Sequence, residues 1–429
     1  MFTTQQIIAI VVFIAVMALV ASEKIHRCLA ALFGALVLII LGVITFDTGI
    51  SHIDFNTIGV LIGMMLFVSV VKESGLFEYA AIKAAQIAKG DPWHVMVAFM
   101  IITAVLSAFL DNVTTVLLVG PMTLVVCKLM HTNPIPYFFT EILSSNIGGT
   151  ATLIGDPPNI MIGSAAGLTF FDFIANDAPG VVIVFIVCIF VFKFVFGRGL
   201  EHSEAVEHEQ DIMELDANEH IKDKSLFHKS VVMICLVVVF FMLHGQLGLE
   251  SSVIALSAAA IMMLIGHADL EKCVYGVEWT TIGFFCGLFM VVGALSETGV
   301  ITMLAEWIMD ITNDNPLAML IVILWASAII SSILDNIPFV ATMIPVIATI
   351  GTTGIDVMPL WWALSMGACL GGNGTLIGAS ANVVLSSIST KNGYPITFMD
   401  FTKKGFPIMI LTVAVSTVYL FLRYGIAMM

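Results

Sequence analysis

Charge is what this 429-residue sequence has least of: Asp, Glu, Lys and Arg make up 11% of it, against 59% apolar residues. Soluble domains are about 25% charged, so an ordinary soluble fold is excluded and a polytopic membrane protein is expected. The seven cysteines (28, 127, 188, 235, 273, 286, 369) show no CxxC or Cys/His spacing, which argues against a disulfide framework or a zinc site. No GxxxxGK[ST], GxSxG or HExxH occurs, so neither nucleotide hydrolysis nor another enzymatic chemistry has a visible site, and no cofactor is expected. A net charge of −15 argues against nucleic acid as a partner.

What is present is apolar sequence in runs long enough to cross about 30 Å of hydrocarbon, beginning with 7–20, 29–45 and 58–71. No Lys or Arg precedes the first run, so it reads as a span and not as a cleavable signal. The lipid bilayer is therefore the first partner expected.

The sequence is also written twice. TIGVLIG (57–63) recurs as TIGFFCG (281–287), LDN (110–112) as LDN (334–336), and Pro121 as Pro345, all at an offset of 224. GGTATLIG (148–155) recurs as GGNGTLIG (371–378), and Asn159 as Asn382, at an offset of 223. Two homologous halves follow, 1–197 and 230–429, joined by an acidic linker, 198–229, with nine acidic and four basic residues. A metal site at its His202 and His208 is not expected.

Each half reads as five crossings and one re-entrant hairpin. The expected spans are 5–21, 28–46, 57–72, 138–166 and 178–197, with a hairpin at 93–130. In the second half they are 230–247, 251–267, 280–296, 360–388 and 405–426, with a hairpin at 316–352. An odd number of crossings inverts the second half. This topology puts fifteen of the sixteen basic residues on one face, all but Arg423. By the positive-inside rule that face and the linker are cytoplasmic, both termini are extracytoplasmic, and the protein sits in the plasma (inner) membrane. The expected class is all-α, with inverted repeats and helices broken at the midplane.

The breaks carry the chemistry. SNIGGTATLIGDPPN (145–159) puts three glycines, two prolines, an aspartate and two threonines inside an apolar span. Irregular backbone at that depth persists only inside protein or beside a water-filled cavity. The glycines are expected to unwind the chain, and Asp156 or a neighbour to cap the next half-helix, with Pro157 in its first turn. Freed carbonyls with Thr and Asn oxygens suit Na⁺, and half-helix N-termini suit anions. The candidate residues here are Asn146, Gly148, Gly149, Thr150, Thr152, Asp156 and Asn159, with Gly371, Gly372, Asn373, Thr375 and Asn382 in the repeat.

The LDN tips add Asp111, Asn112, Thr114, Asp335 and Asn336. A carboxylate at that depth costs at least about 2.5–3.5 kcal/mol unless paired or hydrated, which marks Asp111 and Asp335 as functional, although each also fits as a helix cap. Asp156 corresponds to Ala379 in the repeat, so it is either a single coupling site or a cap. Glu141 is a weaker candidate, and Glu73 and Glu297 read as structural. No histidine proton relay is expected.

SAFLDNVTTVLLVGP, GGTATLIGDPPN, LDNIPFVATMIP and GGNGTLIGASAN together resemble the ArsB/NhaD/P-permease group of the ion transporter superfamily. The wording is nearest to that of the melanosomal P protein and its bacterial relatives, and more distantly similar to the divalent anion/Na⁺ symporters. The resemblance implies a scaffold domain, a moving transport domain, an elevator motion and a homodimer. It implies an ion site framed by Asn112, Gly148 and Gly149, and a second framed by Asn336, Gly371, Gly372 and Asn373, with substrate between them. Na⁺ at Asn112, Gly148, Asn336 and Asn373 is part of that implication. The symporters carry Ser where this chain has Asp at both tips.

The leading expectation is a secondary transporter of a small anion or metalloid oxyacid of the arsenite type, coupled to H⁺ or Na⁺. A soluble ATPase partner belongs to the arsenite case. A Na⁺/H⁺ antiporter is the alternative, and a di- or tricarboxylate transporter the second. Neutral As(OH)₃ would sit more easily beside two aspartates than a dicarboxylate would.

Overall fold

The computed structural model describes residues 2–22, 24–200 and 216–428; His202 and His208 lie outside it. The first half contains α1 (Thr4–Ser22), α2 (Arg27–Ile40), α3 (Phe46–Ser51), α4 (Phe55–Glu73), α5 (Leu76–Ile87), α6 (Pro92–Phe109), α7 (Asn112–Leu129), α8 (Ile135–Gly149), α9 (Pro157–Ala166), α10 (Phe170–Asn176) and α11 (Ala178–Leu200). The second contains α12 (Lys224–Leu247), α13 (Ser251–Ile265), α14 (Leu270–Tyr275), α15 (Trp279–Glu297), α16 (Val300–Thr312), α17 (Pro316–Ile333), α18 (Asn336–Gly351), α19 (Met358–Gly371), α20 (Ser380–Lys391) and α21 (Phe398–Leu420). No strand occurs among the described residues.

The expected boundaries shift where a cap decides them. The span placed at 230–247 starts at Lys224, because the Asp223 carboxylate accepts from the Ser225 and Leu226 amides, so the linker is shorter than 198–229. The span placed at 28–46 stops at Ile40. Gly42 takes φ +69° and Thr45 caps α3 by accepting from the Thr48 amide. Helices α5 and α16, which follow the repeated turns Glu73-Ser74-Gly75 and Glu297-Thr298-Gly299, have no counterpart among the expected spans.

Two pairs of helices cross the repeats with backbones in contact: α4 on α13, and α15 on α2. A Cβ on Gly63 would lie 2.6 Å from the Ala255 carbonyl carbon, and one on Gly287 2.6 Å from that of Ala31. Ala31 and Ala255 are themselves repeat partners, so one small-residue crossing is used twice.

Length leaves the hairpins undecided, since α6, α7 and α17 are each 18 residues, about 27 Å at 1.5 Å per residue. Their packing decides. Tyr137 Oη at the start of α8 donates to Pro92 O (2.9 Å), beside the base of the first hairpin. At the other end, Ser107 Oγ donates to Ser145 O (2.7 Å), and Asn112 Nδ2 to Asn146 Oδ1 (3.0 Å). The tip therefore lies beside a break in the α8–α9 span, not beside its end, which makes the hairpin re-entrant. The second repeat copies this: Ser331 Oγ donates to Ala368 O (2.6 Å). The crossing through α9 ends at Gly167, where α10 turns off by 111°.

Candidate functional site

The glycines of the unwound segments do more packing than unwinding. Gly148 and Gly371 are still helical, and each lies against a hairpin arm. A Cβ on Gly148 would come within 2.1 Å of Ala104 O, and one on Gly371 within 2.6 Å of Ala328 O. Gly149 faces Gly155, and Gly372 faces Gly378, across the turn itself. The threonines tie hairpin to turn. Thr152 Oγ1 donates to Ala108 O, Thr375 Oγ1 to Ser332 O (2.5 Å), and Thr150 Oγ1 back to Asn146 O (2.8 Å).

Two buried asparagine amides hold the turns closed. Asn159 Nδ2 faces the carbonyls of Gly149, Thr150 and Thr152 at 3.3, 3.1 and 2.9 Å. Asn382 Nδ2 does the same for Gly372 (2.7 Å) and Thr375 (3.0 Å). Five carbonyls of the unwound turns thus already accept from an amide within their own repeat.

Behind the amides the repeats differ. Asn146 Nδ2 donates to both Asn373 Oδ1 and Asn382 Oδ1 at 2.9 Å, while its Oδ1 accepts from Asn112. The position equivalent to Asn146 is Cys369, whose thiol faces Asn159 Oδ1 at 3.6 Å. Asn373 Nδ2 is buried with no hydrogen-bond partner among the described residues.

Both tip aspartates cap the second arm of their hairpin with Oδ1, but only Asp335 reaches outward with its second oxygen. Asp111 Oδ1 accepts from the Thr114 amide (2.9 Å), and its Oδ2 from Thr114 Oγ1 (2.5 Å). Asp335 Oδ1 accepts from the Ile337 amide (3.1 Å), but its Oδ2 meets Arg27 Nη1 and Ser380 Oγ, both at 3.0 Å. The capping role offered for Asp156 is corrected. Asp156 stands at the start of α9 without using its side chain as a cap, and its Oδ2 accepts from Asn336 Nδ2 (3.2 Å) in the other repeat.

Arg27, at the first residue of α2, reads in the sequence only as one of the flanking positive charges. It reaches Ser380 Oγ at 2.6 Å and Thr281 Oγ1 at 3.2 Å besides Asp335. Thr281 in turn donates to Glu278 Oε2 (2.9 Å). Glu278 had a sequence signal: DFNTIG (54–59) and EWTTIG (278–283) put an acid three residues before the repeated threonine in both halves. Arg27 had none, because Ser251 stands in its place in the second half.

A cavity of about 30 Å³ lies between the tips, lined among others by Arg27, Asp111, Asn112, Asp156, Glu278 and Asn336. It is flanked by two larger vestibules. One, of about 340 Å³, has His26, Arg27, Asp335 and Ser380 in its wall; the other, of about 380 Å³, has Lys72, Thr114, Lys222 and Glu278. The second borders the face that carries the end of the linker, through Lys222. On the opposite face, Asp54 Oδ1 accepts from Ser164 Oγ (3.0 Å), joining α9 to the head of α4. Glu141 is fully buried and accepts from Thr123 Oγ1, which ties α8 to α7. Glu297 pairs with His52 (3.0 Å) and Glu73 with Lys272 (3.7 Å), both at the ends of spans.

Inverted repeats, paired re-entrant hairpins and helices broken beside the tips define a membrane transporter. A profile of the citrate transporter family (CitMHS) matches residues 17–367, and the chain belongs to that family. It is 42% identical over 427 residues to an uncharacterized transporter of Mycobacterium tuberculosis (strain ATCC 25618 / H37Rv), covering 97% of this chain and 98% of the other. It is 34% identical to the human P protein over 504 aligned residues, spanning 98% of this chain and 60% of that one. The crystal structure of the Alcanivorax borkumensis YdaH transporter shares the fold, with a TM-score of 0.64, 13% identity and 99% of each chain covered.

Proposed function

We propose that the chain is a secondary active transporter that moves a small anion or metalloid oxyacid together with H⁺ or Na⁺. The observation behind this is the charge balance at the tips. Asp111, Asp156 and Glu278 line the cavity and Asp335 adjoins it, while Arg27 is the cation at the site. Among the described residues neither Asp111 nor Asp156 forms an ion pair. Carboxylates taken out of water need a compensating charge, so protons or a metal cation would travel with the substrate. Arg27, in the wall of one vestibule, would be the group that meets the anion.

The site would be carried by a transport domain of the two hairpins with α8–α9 and α19–α20, sliding against α2, α4, α13 and α15. In this reading the linker face is cytoplasmic, the structure is open toward it, and the protein works as a homodimer in the plasma membrane. A soluble ATPase would join only for an arsenite-type substrate.

A Na⁺/H⁺ antiporter is the second reading. A volume of about 30 Å³ is enough for one water or one cation, and not for a polyatomic acid unless the tips part. The family description favours a third, a carboxylate such as citrate.

Proton flux in proteoliposomes separates them, read with a pH dye on addition of Na⁺, arsenite, phosphate or citrate in turn. A response to arsenite or phosphate that Asp111→Asn and Asp335→Asn abolish supports the leading reading and names the solute, whereas a response to citrate supports the third. A response to Na⁺ alone replaces it with the antiporter.

A further inference from the structure

Asp177, at the head of α11, is fully buried and plays no part in the tip site. Its Oδ2 lies 2.5 Å from Ser365 Oγ on α19, and Ser365 Oγ lies 2.7 Å from Asn159 Oδ1. Its Oδ1 has no hydrogen-bond partner among the described residues. Nor does the carboxylate form an ion pair there. The nearest guanidinium influence comes from Arg423, which gives its Nη2 hydrogen to Asn176 Oδ1 at 2.9 Å instead.

Hydrogen counting decides what this arrangement can do. The Asn159 amide group is fixed, because its Nδ2 faces three carbonyls, and its oxygen must therefore point at Ser365. Ser365 thus stands between two acceptors with a single hydrogen to give. If Asp177 carries a proton, it donates to Ser365 Oγ, and Ser365 donates to Asn159. If Asp177 is ionised, Ser365 must turn its hydrogen to Asp177. Asn159 Oδ1 is then left with the weak thiol donor of Cys369. One proton gained or lost at Asp177 therefore rewires the residue that clamps the unwound turn beside Asp156.

We propose that Asp177 is a proton-binding site, separate from the hairpin tips, which reports its state to the unwound turn through Ser365 and Asn159. The inference rests on the proposed cation-coupled transport for its use, but not for its existence. The second repeat has no copy of it, because Asn382 Oδ1 accepts from Asn146, whose amide does not titrate. Exchange with solvent would run through the adjacent half-exposed Asn176, which accepts from Arg423 and from Tyr424 Oη (2.5 Å) on Oδ1 and from Tyr419 Oη (2.6 Å) on its carbonyl. The titratable and charged groups around it are Tyr419 on α21, Arg423 and Tyr424 just beyond α21, Cys369 on α19, Asp172 on α10, and His244 on α12. His244 is occupied, its Nε2 accepting from the Phe170 amide at 3.1 Å.

The test is infrared difference spectroscopy of the full chain in liposomes between mildly acidic and mildly alkaline pH, with protons as the only probe. The wild type should show the carbonyl stretch of a protonated carboxylic acid that Asp177→Asn lacks. Ser365→Ala, which keeps Asp177, should retain that band at a shifted frequency. An unchanged spectrum in Asp177→Asn overturns the proposal, and an unshifted band in Ser365→Ala overturns the link to Asn159. No solute moves in this experiment, so failure of the transport reading would leave its outcome intact.

Discussion

Arg27 and Asp335 join parts of the chain 308 residues apart, with Nη1 3.0 Å from Oδ2 and side chains 24% and 12% exposed. The bond links α2, which packs on α15, to the tip of the second hairpin. Its repeat equivalent would pair Ser251 with Asp111, and no ion pair is possible there. The contact is therefore one-sided, as expected of inverted repeats held in two different arrangements.

Arg27→Gln should weaken this arrangement by about 1–2 kcal/mol, less than a fully buried pair because both groups keep some solvent. Arg27→Lys should recover only part, since an ammonium does not reproduce the planar fork that meets Asp335, Ser380 and Thr281 together. Thermal melts in detergent give the order wild type, Lys, Gln. Equal melting points for all three would show the pair to be inert.

Gly148→Ala and Gly371→Ala should each destabilise by about 1–3 kcal/mol or more, because the added methyl meets backbone that cannot swing away. Gly167→Ala has open space and only a positive φ of +66° against it, so about 1 kcal/mol is expected. Melting temperatures of the three variants should separate the first two from the third.

Asn159→Asp removes the amide hydrogens from three carbonyls and points a carboxylate at them. Each buried carbonyl left unpaired costs about 1–3 kcal/mol, so the unwound turn should open. Labelling of Cys369 by a membrane-permeant maleimide should rise well above its wild-type level. A rate equal to wild type would mean that the amide does not hold the turn.

Asp156→Asn keeps the shape of the contact with Asn336 and removes one charge from the cavity. Stability should hold within about 1 kcal/mol, because the Asn oxygen still accepts. Proton coupling measured with the pH dye should fall by at least tenfold. Coupling that survives in full would leave Asp156 a structural bridge between repeats.

The repeat offset exposed the LDN tips, the paired unwound turns and the inverted topology, because those features belong to both halves and announce themselves by recurring. The residues it missed are the ones that break the symmetry. Arg27 corresponds to Ser251, Ser365 to Ile142, Cys369 to Asn146 and Ser380 to Pro157, so comparing the halves hid them. Asp177 sits next to a helix head in an apolar stretch, where it reads as an ordinary cap. Asp156 was visible as an asymmetry, but its partner Asn336 lies 180 residues away.

By itself, then, the sequence determined that this chain crosses a membrane, folds as two inverted halves, and breaks its helices at matched positions. Hydrophobic run length, charge segregation and internal repetition are all local or self-referential, and a linear text preserves them. Which oxygens face a cavity, which are tied up by Asn159 and Asn382, and which carboxylate meets Arg27 was decided only in three dimensions. A buried polar group takes its character from its hydrogen-bond partners, and here those partners come from the opposite repeat.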